Sequence, residues 1–259
     1  MKQKLSVFVI TKNEERKIAR CLEHIKWADE IVILDSISTD KTTNIAKKYT
    51  KKVYKKKFED YADQKQAAIN KCTNEWILEI DADEVVTNKL KNEIEKILNN
   101  EDELNKHSAF IITRQEYFLK KPLMKSYIIR LYKKEKVKYK ELIHERLIVS
   151  GAIGKLKHII NHESDKYETI QDRINKNNEY TTREIESIKA TGKRLSKTET
   201  VARMIIEPCI YFLWLFIRKG LWLKGKRGLI WCVMAAQYHF LIYAKYYEYL
   251  YKEKQNPEN

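Results

Sequence analysis

Short apolar runs and amphipathic stretches alternate over the first hundred residues. "LSVFVIT" (5–11) and "EIVILDS" (30–36) are brief, continuously apolar and rich in β-branched residues, which predicts strands buried on both faces. "KKVYK" supplies a short third strand and "EWILEID" a fourth. Between them lie helical patterns. "EERKIARCLEHI" repeats Ile18, Leu22 and Ile25 at helical spacing behind Asn13, a candidate cap. "DKTTNIAKKY" is expected to open at Ser38 or Thr39, and "DYADQKQAAINKC" forms a helix over about 60–72. "TNKLKNEIEKILNN" is amphipathic, with Leu90, Ile94, Ile97 and Leu98 on one side. Four strand–helix alternations predict a mostly parallel sheet with helices on both faces, an α/β fold. In such sheets ligands gather outside the carboxyl ends of the strands. Asp35 ends the second strand and Asp81 the fourth, so both are expected at one crevice.

From residue 108 the pattern changes. "SAFIITRQEYFL" and "SYIIRLYKK" read as strands, open to antiparallel pairing, and "HERLIVSGAIG" as another with a turn. A polar helix follows over 166–190, its buried side formed by Ile170, Ile174, Ile185 and Ile188. The change predicts two regions, 1–165 and 166–259. In the second, "CIYFLWLFI" (209–217) and "GLIWCVMAAQYHFLIYA" (228–244) are apolar almost all round. Spanning a bilayer takes about 20 apolar residues, and Pro208 and Gln237 interrupt the runs. Helices lying in a membrane interface fit them better, with Trp214, Trp222 and Trp231 at headgroup level and Arg and Lys facing anionic lipid. A second core packed on the sheet domain is the alternative.

Composition sharpens this picture. Of 259 residues, 51 are Lys or Arg and 36 Asp or Glu, a net charge of +15 that favours polyanionic partners. The basic residues scatter over several elements and no nucleic-acid-binding motif is present, so no nucleic acid partner is expected, although a basic nucleic-acid-binding protein and a catalytically inactive membrane-associated scaffold stand as the alternative readings. Cys21, Cys72, Cys209 and Cys232 show no C-x-x-C spacing, which argues against a zinc site and suits a reducing compartment. The apolar run after Met1 is too short for a secretory signal, and a cytoplasmic location follows as the expectation.

"WILEIDADEVVT" (76–87) carries the sharpest chemistry. An apolar strand ends in Asp81, Asp83 and Glu84, which are either a solvated loop or the holder of a cation. Mg²⁺ or Mn²⁺ takes oxygen ligands, commonly one or two carboxylates completed by substrate phosphate. A calcium loop of EF-hand type is excluded, because Val86 stands where that loop needs glycine. No G-x-G-x-x-G follows any strand, which excludes the usual dinucleotide site.

"VITKNEE" (9–15), "DSISTDKT" (35–42), "ADQKQAAIN" (62–70) and "LEIDADE" (78–84) occur in this order. Together they resemble the family 2 glycosyltransferases, an inverting group with the GT-A (Rossmann-like) fold that uses nucleotide-diphosphate sugars. "IHERL" (143–147), "GKLKHIINHES" (154–164) and the basic, aromatic tail extend the resemblance over nearly the whole chain. They are most similar to the bacterial branch that adds glucose to the lipopolysaccharide inner core.

The resemblance implies roles for particular residues. Thr11, Asn13 and Glu14 would lie against the nucleotide, Asp35 would accept from the uracil edge, and Lys65 would face base or phosphate. Asp81 would bind the ribose, while Asp83 and His162 would hold a divalent metal, Mg²⁺ or Mn²⁺, on the diphosphate. Glu145 would be the base that deprotonates the acceptor, with His144 orienting acceptor or diphosphate. The implied partners are a UDP-sugar donor, a lipid-linked saccharide acceptor and an anionic membrane surface, with the protein peripheral on the inner face of the cytoplasmic membrane. The family usually has glycines in the second loop where this chain has Ile37 and Lys41, and Gln66 stands where Asn is common. Those departures bear on the fine geometry of nucleotide contact.

Overall fold

A computed structural model describes residues 3–140, 146–163, 169–190 and 194–255. The chain divides into two compact units, 1–116 with 125–164, and 117–124 with 165–259.

The first unit is built on β1 (Leu5–Thr11), β2 (Glu30–Asp35), β3 (Val53–Lys55) and β4 (Trp76–Asp81). β3, β2, β1 and β4 lie side by side and all run parallel. Beyond β4 the same sheet continues with β7 (Lys121–Lys133), β6 (Ala109–Phe118), β10 (Ile153–His162) and β5 (Glu84–Val86), in that order. β7 is antiparallel to β4, β10 parallel to β6, and β5 antiparallel to β10. The α/β expectation is thus met, with a mixed half added to the parallel one. "HERLIVSGAIG" divides between two strands rather than one. β9 (Arg146–Val149) pairs with β8 (Val137–Lys140) in a separate two-stranded sheet, whereas β10 joins the main sheet.

Alternation along β1, β2 and β4 sends side chains to two cores. Leu5, Val7, Val9, Ile31, Ile33, Leu78 and Ile80 face α1 (Ile18–Glu23) and α4 (Asn88–Leu98), which contribute Ile18, Leu22, Leu90, Ile94 and Leu98, and the short α5 (Glu101–Lys106) adds Leu104. Phe8, Val32, Leu34 and Ile77 pack with Ala62, Ala68 and Ile69 of α3 (Tyr61–Lys71), and with Tyr139, Leu147 and Val149 of the small sheet. Covering on both faces explains why these strands read as unbroken apolar runs.

Two helix starts differ from expectation. α1 begins at Ile18 without a side-chain cap, and α2 (Thr42–Ala46) begins after Lys41. Asn13 has φ +54° and Ser38 bonds back to Asp35, so these residues build turns instead of caps. Asn and Ser side chains compete well for local backbone groups, which is why they favour caps and turns alike.

Glu30, at the start of β2, is 8% exposed. It accepts from the Ser6 hydroxyl, the Lys52 ammonium, the Thr73 amide (2.8 Å) and the Thr73 hydroxyl (2.9 Å). Burial pushes its carboxyl up, but these donors outweigh burial and bring it from 4.5 down to about 2. A carboxyl depressed on folding contributes stability that is complete above its ordinary value and drains away as pH falls toward the folded one. Urea midpoints of the wild type are therefore expected to fall between about pH 4.5 and 2. Glu30→Gln should be less stable at neutral pH and flatter across that window. Equal slopes in the two proteins would remove Glu30 as the cause.

The second unit contains α6 (Ile170–Ala190), α7 (Lys197–Leu213) and α8 (Lys226–Gln255), with a π-helical turn at Trp214–Arg218 and a 3₁₀ turn at Leu221–Lys224. Gly220 at φ +69° reverses the chain between these two turns, a conformation glycine takes without strain. The tip joining β6 to β7 belongs here: Phe118 and Leu123 pack with Leu215, Leu221 and Cys232, and Arg227 donates to the Phe118 carbonyl. On α6, Ile185 is buried and Ile188 half-buried, but Ile170 and Ile174 are 42% and 39% exposed. The expected buried stripe therefore holds only for the C-terminal half of α6, which packs against Tyr246 and Leu250 of α8.

Candidate active site

At the carboxyl edge of the parallel strands, Thr11 stands beside Asp35 and Ile10 beside Asp81. Neighbouring strands lie about 4.8 Å apart, so the two acids flank β1 at roughly 10 Å. Residues in register on parallel strands share a face. Asp35 thus leaves the sheet on the side of Thr11, and Asp81 on the side of Ile10. Thr11 and Ile10 are successive residues and face opposite sides, so the two acids do not converge on one crevice as expected and share only the carboxyl edge of the sheet, the end at which ligands of such sheets gather.

Asp35 is fully buried and accepts from the Ser38 amide at 2.8 Å and from the Ser38 hydroxyl. At the apex of this turn Ile37 adopts φ +60° and is 51% exposed. A β-branched residue in the left-handed region is strained, and only a closely held loop keeps it there. The β1–α1 and β2–α2 loops supply that hold. The Asn13 amide donates to Ser38 Oγ (2.9 Å), Thr39 N to Asn13 Oδ1 (2.8 Å), Glu14 N to Thr42 Oγ1 (2.8 Å) and Glu15 N to Asp40 Oδ2 (3.1 Å). The Glu14 carboxylate pairs with Lys17 at 3.0 Å. Two buried oxygens near this edge, Thr11 Oγ1 and Gln64 Oε1, have no hydrogen-bond partner among the described residues. Gln64 is fixed in orientation, since its amide nitrogen donates to the Lys56 carbonyl and to Ser36 Oγ.

Around β4 the acids meet cations. Arg130 of β7 is buried and donates to Glu79, Asp81 and Glu84 together. Lys65 lies 3.1 Å from Glu79 and over the Tyr139 ring, buried in this cluster instead of facing solvent. The hydroxyls of Tyr132 and Tyr139 donate to the second Glu79 oxygen, at 2.9 and 2.6 Å. Arg114 adds contacts to Glu84 (3.4 Å) and Glu116 (2.7 Å). Four carboxylates, Glu79, Asp81, Glu84 and Glu116, thus face three permanent cations, Lys65, Arg114 and Arg130. Burial raises all four carboxyls. For Glu79 and Asp81 the charges of Arg130 and Lys65 win, and their values lie below the ordinary range. For Glu84 burial prevails and its value is raised. Too few positive charges are present to hold every acid ionised with equal ease.

Asp83 is served differently. His162 is the last residue of β10, opposite Glu84 on one side and Glu116 on the other. That register places His162 Nε2 at 3.3 Å from Asp83 Oδ2. Neighbouring ligands of an octahedral ion bonded at about 2.1 Å stand about 3 Å apart, so this oxygen–nitrogen pair fits a shared divalent ion. Among the described residues no three His, Cys, Asp or Glu side chains could hold one ion together. Asp83 and His162 by themselves would give an ion only two of its ligands, and substrate oxygens would have to supply the rest.

Glycosyl transferase family 2 is the family whose sequence model matches residues 6–153, more than half of the chain and every strand-end acid above. The chain belongs to that family. This glycosyltransferase is similar over 94% of its length to the lipopolysaccharide core biosynthesis glycosyltransferase LpsC of Rhizobium meliloti, at 30% identity over 92% of that protein. It is 31% identical to an uncharacterized glycosyltransferase, RT0209, of Rickettsia typhi, covering 97% of this chain and 89% of the relative. Among solved structures, S. aureus TarS 1–349 in complex with UDP-GlcNAc matches 97% of this chain and 92% of its own, at 17% identity and TM-score 0.44. Glucosyl-3-phosphoglycerate synthase from Mycobacterium tuberculosis with Mn²⁺ and UDP matches 44% of each chain, at 19% identity and TM-score 0.37.

In this glycosyltransferase the residues singled out from sequence fall into two groups on one sheet edge. Thr11, Asn13, Glu14 and Asp35 gather at the tips of β1 and β2, while Asp81, Asp83 and His162 gather at β4, β5 and β10. His144 and Glu145 lie outside the described residues. Glu79, Arg114, Glu116 and Arg130 were missed, and Glu84, named with Asp81 and Asp83, was not expected to pair with Arg130. A signal was present for two of them: Glu79 in "WILEID" and Arg130 in "YIIRLYK" are lone charges inside apolar strands, which folded proteins keep only when paired.

Proposed function

We propose that this glycosyltransferase moves a hexose, with glucose the expected sugar, from a UDP-sugar to a lipid-linked saccharide such as a lipopolysaccharide inner core, with inversion. The observation that carries the reading is the meeting of Asp83 with His162 at 3.3 Å, two residues after Asp81, whose strand is separated from that of Asp35 by β1. The likeness to LpsC supports the acceptor class, and membership of the family supports a nucleotide-sugar donor.

In this reading Asp35 accepts from the uracil edge, with Thr11, Asn13 and Glu14 around the nucleotide, and Asp81 takes the ribose; Lys65, buried against Glu79, holds the cluster behind Asp81. Asp83 and His162 would hold Mg²⁺ or Mn²⁺, which neutralises charge on the departing diphosphate. Glu145 takes the proton of the acceptor hydroxyl, with His144 orienting the acceptor. As that oxygen bonds to the anomeric carbon, the bond from this carbon to the diphosphate oxygen breaks and UDP leaves with the electron pair. No covalent enzyme intermediate is needed.

The second unit, 165–259 with the hairpin tip, is the membrane-associating part in this reading. The helical stretch Lys197–Arg218 is long and apolar enough to cross a membrane, by length and composition only, and little of it is buried. Ile205, Ile206, Ile210, Leu213 and Ile217 are exposed along it, next to Arg218, Lys219, Lys224 and Lys226. An apolar stripe ending in a basic turn suits peripheral attachment to an anionic inner leaflet.

One preparation tests both parts. The purified chain with Mn²⁺ and a panel of nucleotide sugars is expected to release free UDP slowly from a UDP-hexose, and to leave ADP- and GDP-sugars intact. It is also expected to float with vesicles containing phosphatidylglycerol. No turnover and no UDP binding would sink the donor assignment, and sedimentation away from the vesicles the membrane assignment.

A further inference from the structure

His162 has two ring nitrogens, and the residues facing them differ. Nε2 is 3.3 Å from Asp83, whereas Nδ1 is 2.6 Å from Glu116 Oε2. Glu116 sits on β6, in register with His162 of β10, and is 6% exposed. Its other oxygen, Oε1, is held from two sides, by Arg114 Nε at 2.7 Å and by the Ser126 hydroxyl at 2.8 Å. Both contacts come from hydrogen-bond donors, one of them a guanidinium, the arrangement a carboxylate takes.

A carboxylate only accepts hydrogen bonds, so the nitrogen facing Glu116 must carry the hydrogen. In the neutral ring the lone pair then lies on Nε2, on the side of Asp83. An imidazole ligates a metal through the nitrogen without hydrogen, and ligating histidines commonly donate their other N–H to a carboxylate. We propose that Glu116 is a positioning residue of this glycosyltransferase: it fixes the tautomer and ring plane of His162 so that Nε2 and Asp83 present one oxygen–nitrogen pair to a divalent ion. Ser126 and Arg114 hold Glu116 in turn. The inference rests on Asp83 and His162 being the metal-holding pair. It adds a residue from β6, nearly fifty positions before the histidine, whose role no local motif announces.

Removing such a partner typically weakens metal binding about 10–100-fold. The test is a titration of Mn²⁺ into the full chain with UDP present, following loss of the free-ion electron paramagnetic resonance signal. Glu116→Gln keeps the size of the side chain but replaces one acceptor oxygen by a donor. It is expected to weaken Mn²⁺ binding by about 10–100-fold while metal-free UDP binding stays within twofold of wild type. Ser126→Ala, a smaller change should Glu116→Gln fail to fold, is expected to shift Mn²⁺ binding in the same direction by a few-fold. Nitrogen-15 spectra of the histidines should show His162 protonated at Nδ1 in the metal-loaded wild type and lose that signature in Glu116→Gln. Wild-type Mn²⁺ affinity in both variants would overturn the role of Glu116 and leave the metal pair standing. If the wild type itself takes up no Mn²⁺, the metal pair falls and this role with it.

Discussion

Asp83→Asn is expected to reduce sugar transfer on the order of 10³-fold, with little change in thermal stability. The residue is partly exposed, and its backbone carbonyl, which accepts from the Glu163 amide, survives the change. What the change removes is the charged oxygen facing His162. A divalent ion on a departing diphosphate is worth several kcal/mol of transition-state stabilisation, and about 4 kcal/mol corresponds to a factor of 10³. Release of UDP from the donor at saturating Mn²⁺ measures the loss, and circular dichroism checks the fold. Chelation of the wild type should reproduce the defect, and added Mn²⁺ should reverse it. Undiminished transfer by the asparagine variant would remove the ion from the mechanism and leave His162 as a plain ion-pair partner.

Arg130→Met should have the largest effect on stability. Arg130 is the cation common to Glu79, Asp81 and Glu84. Taking one partner from a buried ionic cluster costs about 3–5 kcal/mol, because the remaining charges stay buried without compensation. That is a large share of the 5–15 kcal/mol that typically separates folded from unfolded chains. Urea denaturation at pH 7 would read it as a fall in midpoint. The pH dependence has a definite sign. With Arg130 present, Glu79 and Asp81 are depressed and contribute stability above their ordinary values. Without it, burial is left to raise them, and a carboxyl raised on folding favours the folded state only at low pH. The deficit of the variant should therefore narrow as pH falls toward about 4.5. Adding Glu79→Gln to Arg130→Met should recover part of the loss, since one buried charge is removed with its missing partner. A variant as stable as wild type at pH 7 would show that Tyr132, Tyr139 and Lys65 suffice for Glu79.

Much of the first unit was legible because its physics is local. β1, β2 and β4 are covered on both faces, so their sequences are apolar without interruption, and α4 shows its buried Leu90, Ile94 and Leu98 at helical spacing. Acids placed at the ends of such strands stand out for the same reason. Where the pattern misled, a local group had two local uses. Asn13 and Ser38 are good caps and equally good turn formers, and here they fasten two loops together. Ile170 and Ile174 keep helical spacing although both are exposed, since periodicity marks a face and not its partner.

By itself, then, the sequence determined the parallel half of the sheet and the acids at its carboxyl edge. Period, length and turn chemistry are short-range properties that one strand or helix carries alone. Tertiary structure decided how each acid is answered: Asp81, Glu79 and Glu84 by Arg130 from β7, Asp83 by His162 from β10, and His162 by Glu116 from β6. Those pairings depend on the order β4-β7-β6-β10-β5 and on cross-strand register between segments as much as eighty residues apart. Whether a buried carboxylate lies ionised against a cation or is left open to a ligand depends on which charge that order brings within reach, because electrostatic compensation acts across space and leaves no period in the chain.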